Sequence, residues 1–163
     1  MEKTSKVKKA LEGFEEILKS LVDEFGEGHK RVATALHNLA VVHLRMDNLE
    51  DAVDSIKAAI NIRREIFGDH HHKVADSLVE FGIILLAQEE YDGSLAAFNK
   101  ALSVRETEMA ETGEYEQGNV KLQIAKILNN IGCVYFEYGT LIIICHNYYV
   151  YVTAELGLML CIN

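Results

Sequence analysis

An internal repeat constrains the fold of this chain more than any other feature. Residues 24–40 match residues 66–82 at an offset of 42. The identical pairs are Phe25/Phe67, Gly26/Gly68, His29/His71, Val32/Val74, Ala33/Ala75 and Leu36/Leu78. A third, partial copy at 128–139 is shifted by 50 residues, and its extra residues are assigned to the turn at 112–119. A period of this length is typical of arrays in which each unit packs on its neighbours.

Each unit contains two amphipathic helical patterns. In the first unit Leu36, Leu39, Ala40 and His43 recur at helical spacing and therefore share one face. A second apolar stripe follows the turn at 46–48, with Leu49, Ala52, Val53, Ile56, Ala59 and Ile60 on one face. The chain contains no proline, which argues against loop-rich all-β folds. We therefore expect an all-α fold of antiparallel helix pairs.

The second unit resembles a known repeat motif. Residues 79–104 resemble the tetratricopeptide repeat through Phe81, Gly82, Tyr91, Phe98 and Ala101. The 42-residue period with Phe-Gly-x-x-His between units is similar to the long repeats of kinesin light chains. His72 stands where that family usually has proline, and Ser94 replaces a usual alanine. The resemblance covers about residues 5–139 and implies an α-α superhelix, the tetratricopeptide repeat solenoid.

The resemblance also divides the chain. Residues 1–139 are expected to form the repeat array, and residues 140–163 an atypical apolar tail. Within the array we expect a half repeat at 5–25, full repeats at about 30–67 and 73–109, and the first helix of a further repeat at about 120–138. The chain is thus expected to begin and end within repeats.

The tail differs in composition from the array. All 16 Lys and Arg residues lie at or before Lys126, and residues 140–163 carry one charge, Glu155. The second helix of the last unit should begin near Leu141, but bulky Ile144, Tyr148 and Tyr151 occupy its buried crossing positions. Three interpretations stay open: a membrane anchor, an improvised capping helix, or a truncated or mistranslated end.

Composition limits the classes of function. The formal net charge of −9 disfavours nucleic acid and anionic membranes as partners. The three cysteines show no metal-ligand spacing, and no secretory signal precedes them, so we expect a cytoplasmic protein. Phosphate-binding loops, nucleophile elbows and zinc-protease motifs are absent, so we expect neither an enzyme nor a cofactor.

The run His70-His71-His72 raises the question of a metal site, because imidazole is a common metal ligand. Consecutive residues do not converge readily on one ion. Since His29 recurs as His71 in the turn between units, we interpret the run as a structural turn and predict no metal site.

The resemblance implies a concave surface, lined by the first helix of each unit, that receives a peptide. The groove residues implied are His37, Asn38, Val41, Leu44, Arg45, Glu80, Ile83, Leu86, Lys126, Asn130 and Phe136, with Asp76, Val79, Asn129, Cys133 and Glu137 beside them. Asn38 and Asn130 would bond the peptide backbone, or else a neighbouring helix. Arg45 and Lys126 are the only cations expected there, which disfavours the acidic tails of chaperones and favours an apolar or weakly basic peptide.

Two functional hypotheses follow. The first is an adaptor or scaffold that binds a protein or peptide ligand, as kinesin light chain-type repeats do. The second is a structural fragment of a larger repeat protein that self-associates through exposed terminal repeats, or is tethered to a membrane by its apolar tail.

Overall fold

The computed structural model describes residues 2–111, 113 and 117–138, and these residues form six helices. The helices are α1 (Glu2–Phe25), α2 (Lys30–Arg45), α3 (Leu49–Phe67), α4 (His72–Ala87), α5 (Tyr91–Glu111) and α6 (Gln117–Glu137). The described residues contain no strand, so the all-α prediction is confirmed. The predicted tail, 140–163, lies outside the described residues.

The helices stack in sequence order. Each helix packs on the next, and smaller contacts join α2 to α4 and α4 to α6. The first helices of the units, α2, α4 and α6, therefore share one side of the array, as the superhelix prediction requires. No helix in the described part of the chain is long and apolar enough to cross a membrane.

Small residues set the distance between paired helices. Ala40, Ala59 and Ala101 are completely buried. A Cβ atom added at Gly82 would lie 2.7 Å from Cε1 of Phe98, so α4 approaches α5 too closely there for any larger side chain. Ser94 is also buried, and its hydroxyl donates a 2.7 Å hydrogen bond to the Gly82 carbonyl. This bond satisfies the hydroxyl that replaces the usual alanine.

The two turns between units share one construction. Gly26 and Gly68 adopt φ values of 80° and 84°, a region that glycine enters without steric cost. His29 and His71 then cap α2 and α4, each accepting a backbone N–H two residues later on Nδ1. The Phe25 and His29 rings stack at 4.6 Å between centroids, and those of Phe67 and His71 at 4.4 Å.

These contacts explain why the Phe-Gly-x-x-His pattern recurs and give His71 a structural role. His72 is the first residue of α4 and lies 4.0 Å from a carboxylate oxygen of Glu108. Among the described residues, no group of three or more His, Cys, Asp and Glu side chains could hold a metal ion.

Candidate concave binding groove

A groove of about 570 Å³ runs across the side shared by α2, α4 and α6. Six predicted site residues line it: His37, Asn38, Glu80, Ile83, Lys126 and Asn130. Asp76 and Val79, which the sequence placed beside them, line it too. The groove therefore combines an apolar floor with polar groups from three successive first helices.

The other five predicted residues lie outside this groove. Leu44 and Leu86 are half-buried and pack against the hydrophobic core, and Val41 is also half-buried. Arg45 is exposed, and 69% of Phe136 is exposed. Arg45 is the last residue of α2, whereas the residues of α2 that line the groove end at Asn38.

Sequence reasoning missed the cations contributed from other positions. Arg63, Lys73 and Arg105 all line the groove. The expectation that Arg45 and Lys126 are its only cations is therefore wrong. Arg63 and Arg105 lie near the C-terminal ends of α3 and α5, which run antiparallel to the first helices and so end beside the groove. The 42-residue offset that relates them could have identified the pair.

Arg63 is almost completely buried, with 5% of its surface exposed. Its Nη1 donates to the Lys73 carbonyl at 3.0 Å and to the Ser77 hydroxyl, and lies 3.4 Å from His37 Nδ1. Burial lowers the pKa of Arg63, and the nearby Asp76 carboxylate opposes that shift. Within the described residues this guanidinium forms no hydrogen bond or ion pair with a carboxylate.

Arg105 occupies the equivalent position in the next unit but has acidic partners. Only 7% of it is exposed, and it forms ion pairs with Asp76 and, at 2.6 Å, with Glu108. The positions equivalent to these two acids in the first unit hold Thr34 and Ile66. Arg105 is thus neutralised by carboxylates of the chain, whereas Arg63 donates hydrogen bonds only to neutral acceptors.

Burial also shifts two other groups in the groove. The pKa of His37 is lowered to about 4, first by burial and then by the charge of Arg63, so its imidazole is neutral at pH 7. Burial raises the pKa of Glu80, although Arg45 partly offsets the effect. Both shifts favour uncharged forms on the groove floor.

The carboxamides of Asn38 and Asn130 form no hydrogen bond with any other described residue. Asn38 is exposed and Asn130 is half-buried. The alternative role suggested for them, a hydrogen bond to a neighbouring helix, is therefore not seen. Both residues line the groove, and each carboxamide has a donor and an acceptor that no other described residue occupies.

A protein-family model described as tetratricopeptide repeat matches this chain over residues 2–65 and 31–107. No curated protein sequence matches it. Among solved structures, BtubC (BKLC) from P. vanneervenii superposes with a TM-score of 0.79 at 21% identity, covering 98% of this chain and 61% of that one. This chain thus spans about 61% of the length of BtubC.

A second solved structure comes from Podosopora anserina and is named for a kinesin light chain with nearly identical TPR-like repeats. It superposes with a TM-score of 0.76 at 14% identity, covering 98% of this chain and 71% of that one. At these identities the likeness concerns the fold alone.

Proposed function

Because the chain belongs to the tetratricopeptide repeat family, we propose that it is an adaptor or scaffold that binds a peptide segment of a partner protein in its concave groove. Repeats of this family are generally protein-interaction modules and typically non-enzymatic. The observation that carries the proposal is the pair of available carboxamides, Asn38 on α2 and Asn130 on α6, in one groove.

The proposed binding mode follows from the chemistry of these groups. A carboxamide accepts a backbone N–H and donates to a backbone carbonyl, so Asn38 and Asn130 would hold an extended peptide with little regard to its sequence. Val79 and Ile83, both half-buried, line the same groove and would contact apolar side chains of the peptide. Selectivity would come from these apolar contacts.

The charges that line the groove limit the class of peptide that it can bind. Asp76 and Glu108 neutralise Arg105, and Lys73 lies 3.8 Å from Asp76. Glu80, with its raised pKa, lines the same groove as Lys126. This mixture does not suit a long run of one charge, and we propose a predominantly apolar peptide. We place the protein in the cytoplasm, because its odd set of three cysteines suits a reducing compartment.

Selection of peptides from a random library on the purified full chain tests this function. The affinity of a selected peptide is measured by fluorescence anisotropy with Asn38→Ala, Asn130→Ala and the control Asn99→Ala, whose asparagine is exposed on α5. Loss of one carboxamide should weaken binding about five- to tenfold, whereas the control should leave it unchanged. An affinity that neither Asn38→Ala nor Asn130→Ala changes would contradict the proposal.

Self-association is the second candidate, favoured by exposed apolar side chains near both ends of the described array. Ile17 on α1 is 52% exposed, and Phe136 on α6 is 69% exposed. Sedimentation velocity of the full chain over a hundredfold concentration range distinguishes the hypotheses. Concentration-dependent oligomers that exclude the selected peptide would favour the structural role over the adaptor.

A further inference from the structure

A second groove, of about 540 Å³, lies between α1 and α2. Its apolar wall is formed by Phe14, Ile17 and Leu21 of α1, and Phe67 of α3 lines it as well. Asn38 and Arg63 border both this groove and the concave groove. The proposed peptide site does not account for the apolar face of α1.

The repeat shows what covers this face elsewhere in the molecule. Ile17 corresponds to Ala59 and Ala101 in the next two units. Both alanines are completely buried, and the first helix of the unit packs on the helix that carries each of them, whereas 52% of Ile17 is exposed. The equivalents of Phe14, which are Ile56 and Phe98, are also completely buried. The repeat geometry thus specifies an α-helix as the cover for α1.

The charges around this groove are all of one sign. Lys30, Arg31, Arg63 and Lys73 line it, and no Asp or Glu does. Arg63 is buried and meets neutral acceptors, although its equivalent Arg105 pairs with two carboxylates. Lys73 already lies 3.8 Å from Asp76, and the acid that pairs with Arg105 is on the first helix of its own unit, where the first unit has Thr34. Lys30 and Arg31 are therefore the cations that an acidic side chain of a docked helix would meet.

Close packing adds a requirement of size. Over the Phe98 ring the covering helix has Gly82, where even a Cβ atom would come within 2.7 Å of the ring. Phe14 is the aromatic equivalent of Phe98 on α1. A helix that packs on Phe14 in the same way therefore needs glycine at that point.

We propose that this second groove docks an amphipathic helix of a partner protein, with a glycine over Phe14 and an acidic side chain over Leu21, facing Lys30 and Arg31. The helix completes a unit by packing on α1 as α2 packs on α3. Helix α6 of a second copy fits less well, because it carries Lys121 and Lys126 and, near its end, a single acid, Glu137. The two grooves adjoin, since Thr34, Asn38, Arg63 and Lys73 line both, but helix docking on α1 does not rest on the proposed peptide function.

The test uses a synthetic peptide with the sequence of α4, residues 72–87, because that helix covers Phe98 and contains both Gly82 and Asp76. It is titrated into the full chain by isothermal titration calorimetry. We expect saturable binding with one peptide per chain. The Ile17→Asp variant should bind at least about tenfold more weakly, because it places a charge in the apolar contact.

Leu122→Asp is the matched control, since Leu122 is 51% exposed and does not line the groove. It should bind the peptide normally, and circular dichroism verifies that both variants fold. Two changes within the peptide probe the binding mode. Gly82→Leu should weaken binding about tenfold through overpacking, and Asp76→Lys about fivefold through repulsion by the groove cations.

Several results would overturn the proposal. The first is the absence of saturable binding up to 1 mM peptide. The second is an equal affinity of the Ile17→Asp variant for the peptide, and the third is an affinity that neither peptide substitution changes. A dimer that Ile17→Asp abolishes and that excludes the peptide would identify a second copy as the occupant instead. Asn130 lines the concave groove but not the second groove, so an Asn130→Ala variant that loses peptide-groove binding and still binds the α4 peptide would show that the two sites are independent.

Discussion

The first and second full units place arginine at the same position but treat its charge differently. Arg63 donates to a carbonyl and a hydroxyl, whereas Arg105 forms ion pairs with Asp76 and Glu108. The backbone repeat brings both side chains to the groove, and the residues at two other repeat positions decide whether each charge is neutralised. Equivalent positions in a repeat array therefore need not be electrostatically equivalent.

The largest expected effect is on stability. Arg105→Met should lower the free energy of unfolding by about 3 kcal/mol, because it leaves partly buried carboxylates without their cation. Arg63→Met should cost about 1 kcal/mol or less, since it removes a buried charge that has only neutral partners. Urea denaturation measures both values. Equal losses would show that the two arginines are equivalent after all.

Acid should act more strongly on the first unit. The folded-state pKa of His37 is about 4, below its ordinary value of 6.5, so between these values the unfolded chain binds a proton that the folded chain does not. The stability contributed by neutral His37 is present above pH 6.5 and is lost as the pH falls towards 4. Allowing for partial exposure, we expect a loss on the order of 2 kcal/mol.

Urea denaturation of wild type and His37→Gln at pH 7 and pH 4.5 measures this effect. The variant should retain only part of the pH dependence, because burial and the neighbouring His72 also lower the pKa of His71. Val79 occupies the position equivalent to His37, so the second unit lacks this source of acid sensitivity. An unchanged pH dependence in the variant would refute the assignment to His37.

A smaller effect should follow from giving the first unit one of the missing acids. Thr34→Asp places a carboxylate at the position equivalent to Asp76 and should stabilise the fold by about 1 kcal/mol through Arg63. Thr107→Asp, on the exposed surface of α5, is the control. The gain should appear in urea denaturation at pH 7 and vanish in an Arg63→Met background. A gain that persists there would indicate a general effect of charge.

The last comparison concerns the two turns, where the effect of a substitution should be the same in both units. His29→Ala and His71→Ala each remove a helix cap and a ring stack, and each should cost about 1 kcal/mol. Thermal unfolding monitored by circular dichroism compares the two variants and the double variant, in which the losses should add. Clearly unequal losses would show that the difference between the units extends to their turns.

Much of the architecture could be predicted because apolar periodicity reports local geometry. Apolar residues that recur at helical spacing indicate paired helices. Leu39, Ala40 and Ile56 are examples, and all three are buried as expected. The groove could be predicted only in part. Reasoning from the first helices alone overlooks Arg63 and Arg105, whose long side chains reach it from α3 and α5. Arg45 and Phe136 share a helical face with the groove residues. They lie at the C-terminal ends of α2 and α6, beyond the residues that line the groove.

The identical turns that join the units have a genetic consequence. The same turn occurs twice, 42 residues apart, once with Gly26 and His29 and once with Gly68 and His71. An in-frame recombination between the two DNA segments that encode these turns would insert or delete one whole unit and leave an intact Phe-His stack at the junction. The length of such an array can therefore change between related genes in steps of one unit, without a new turn having to evolve.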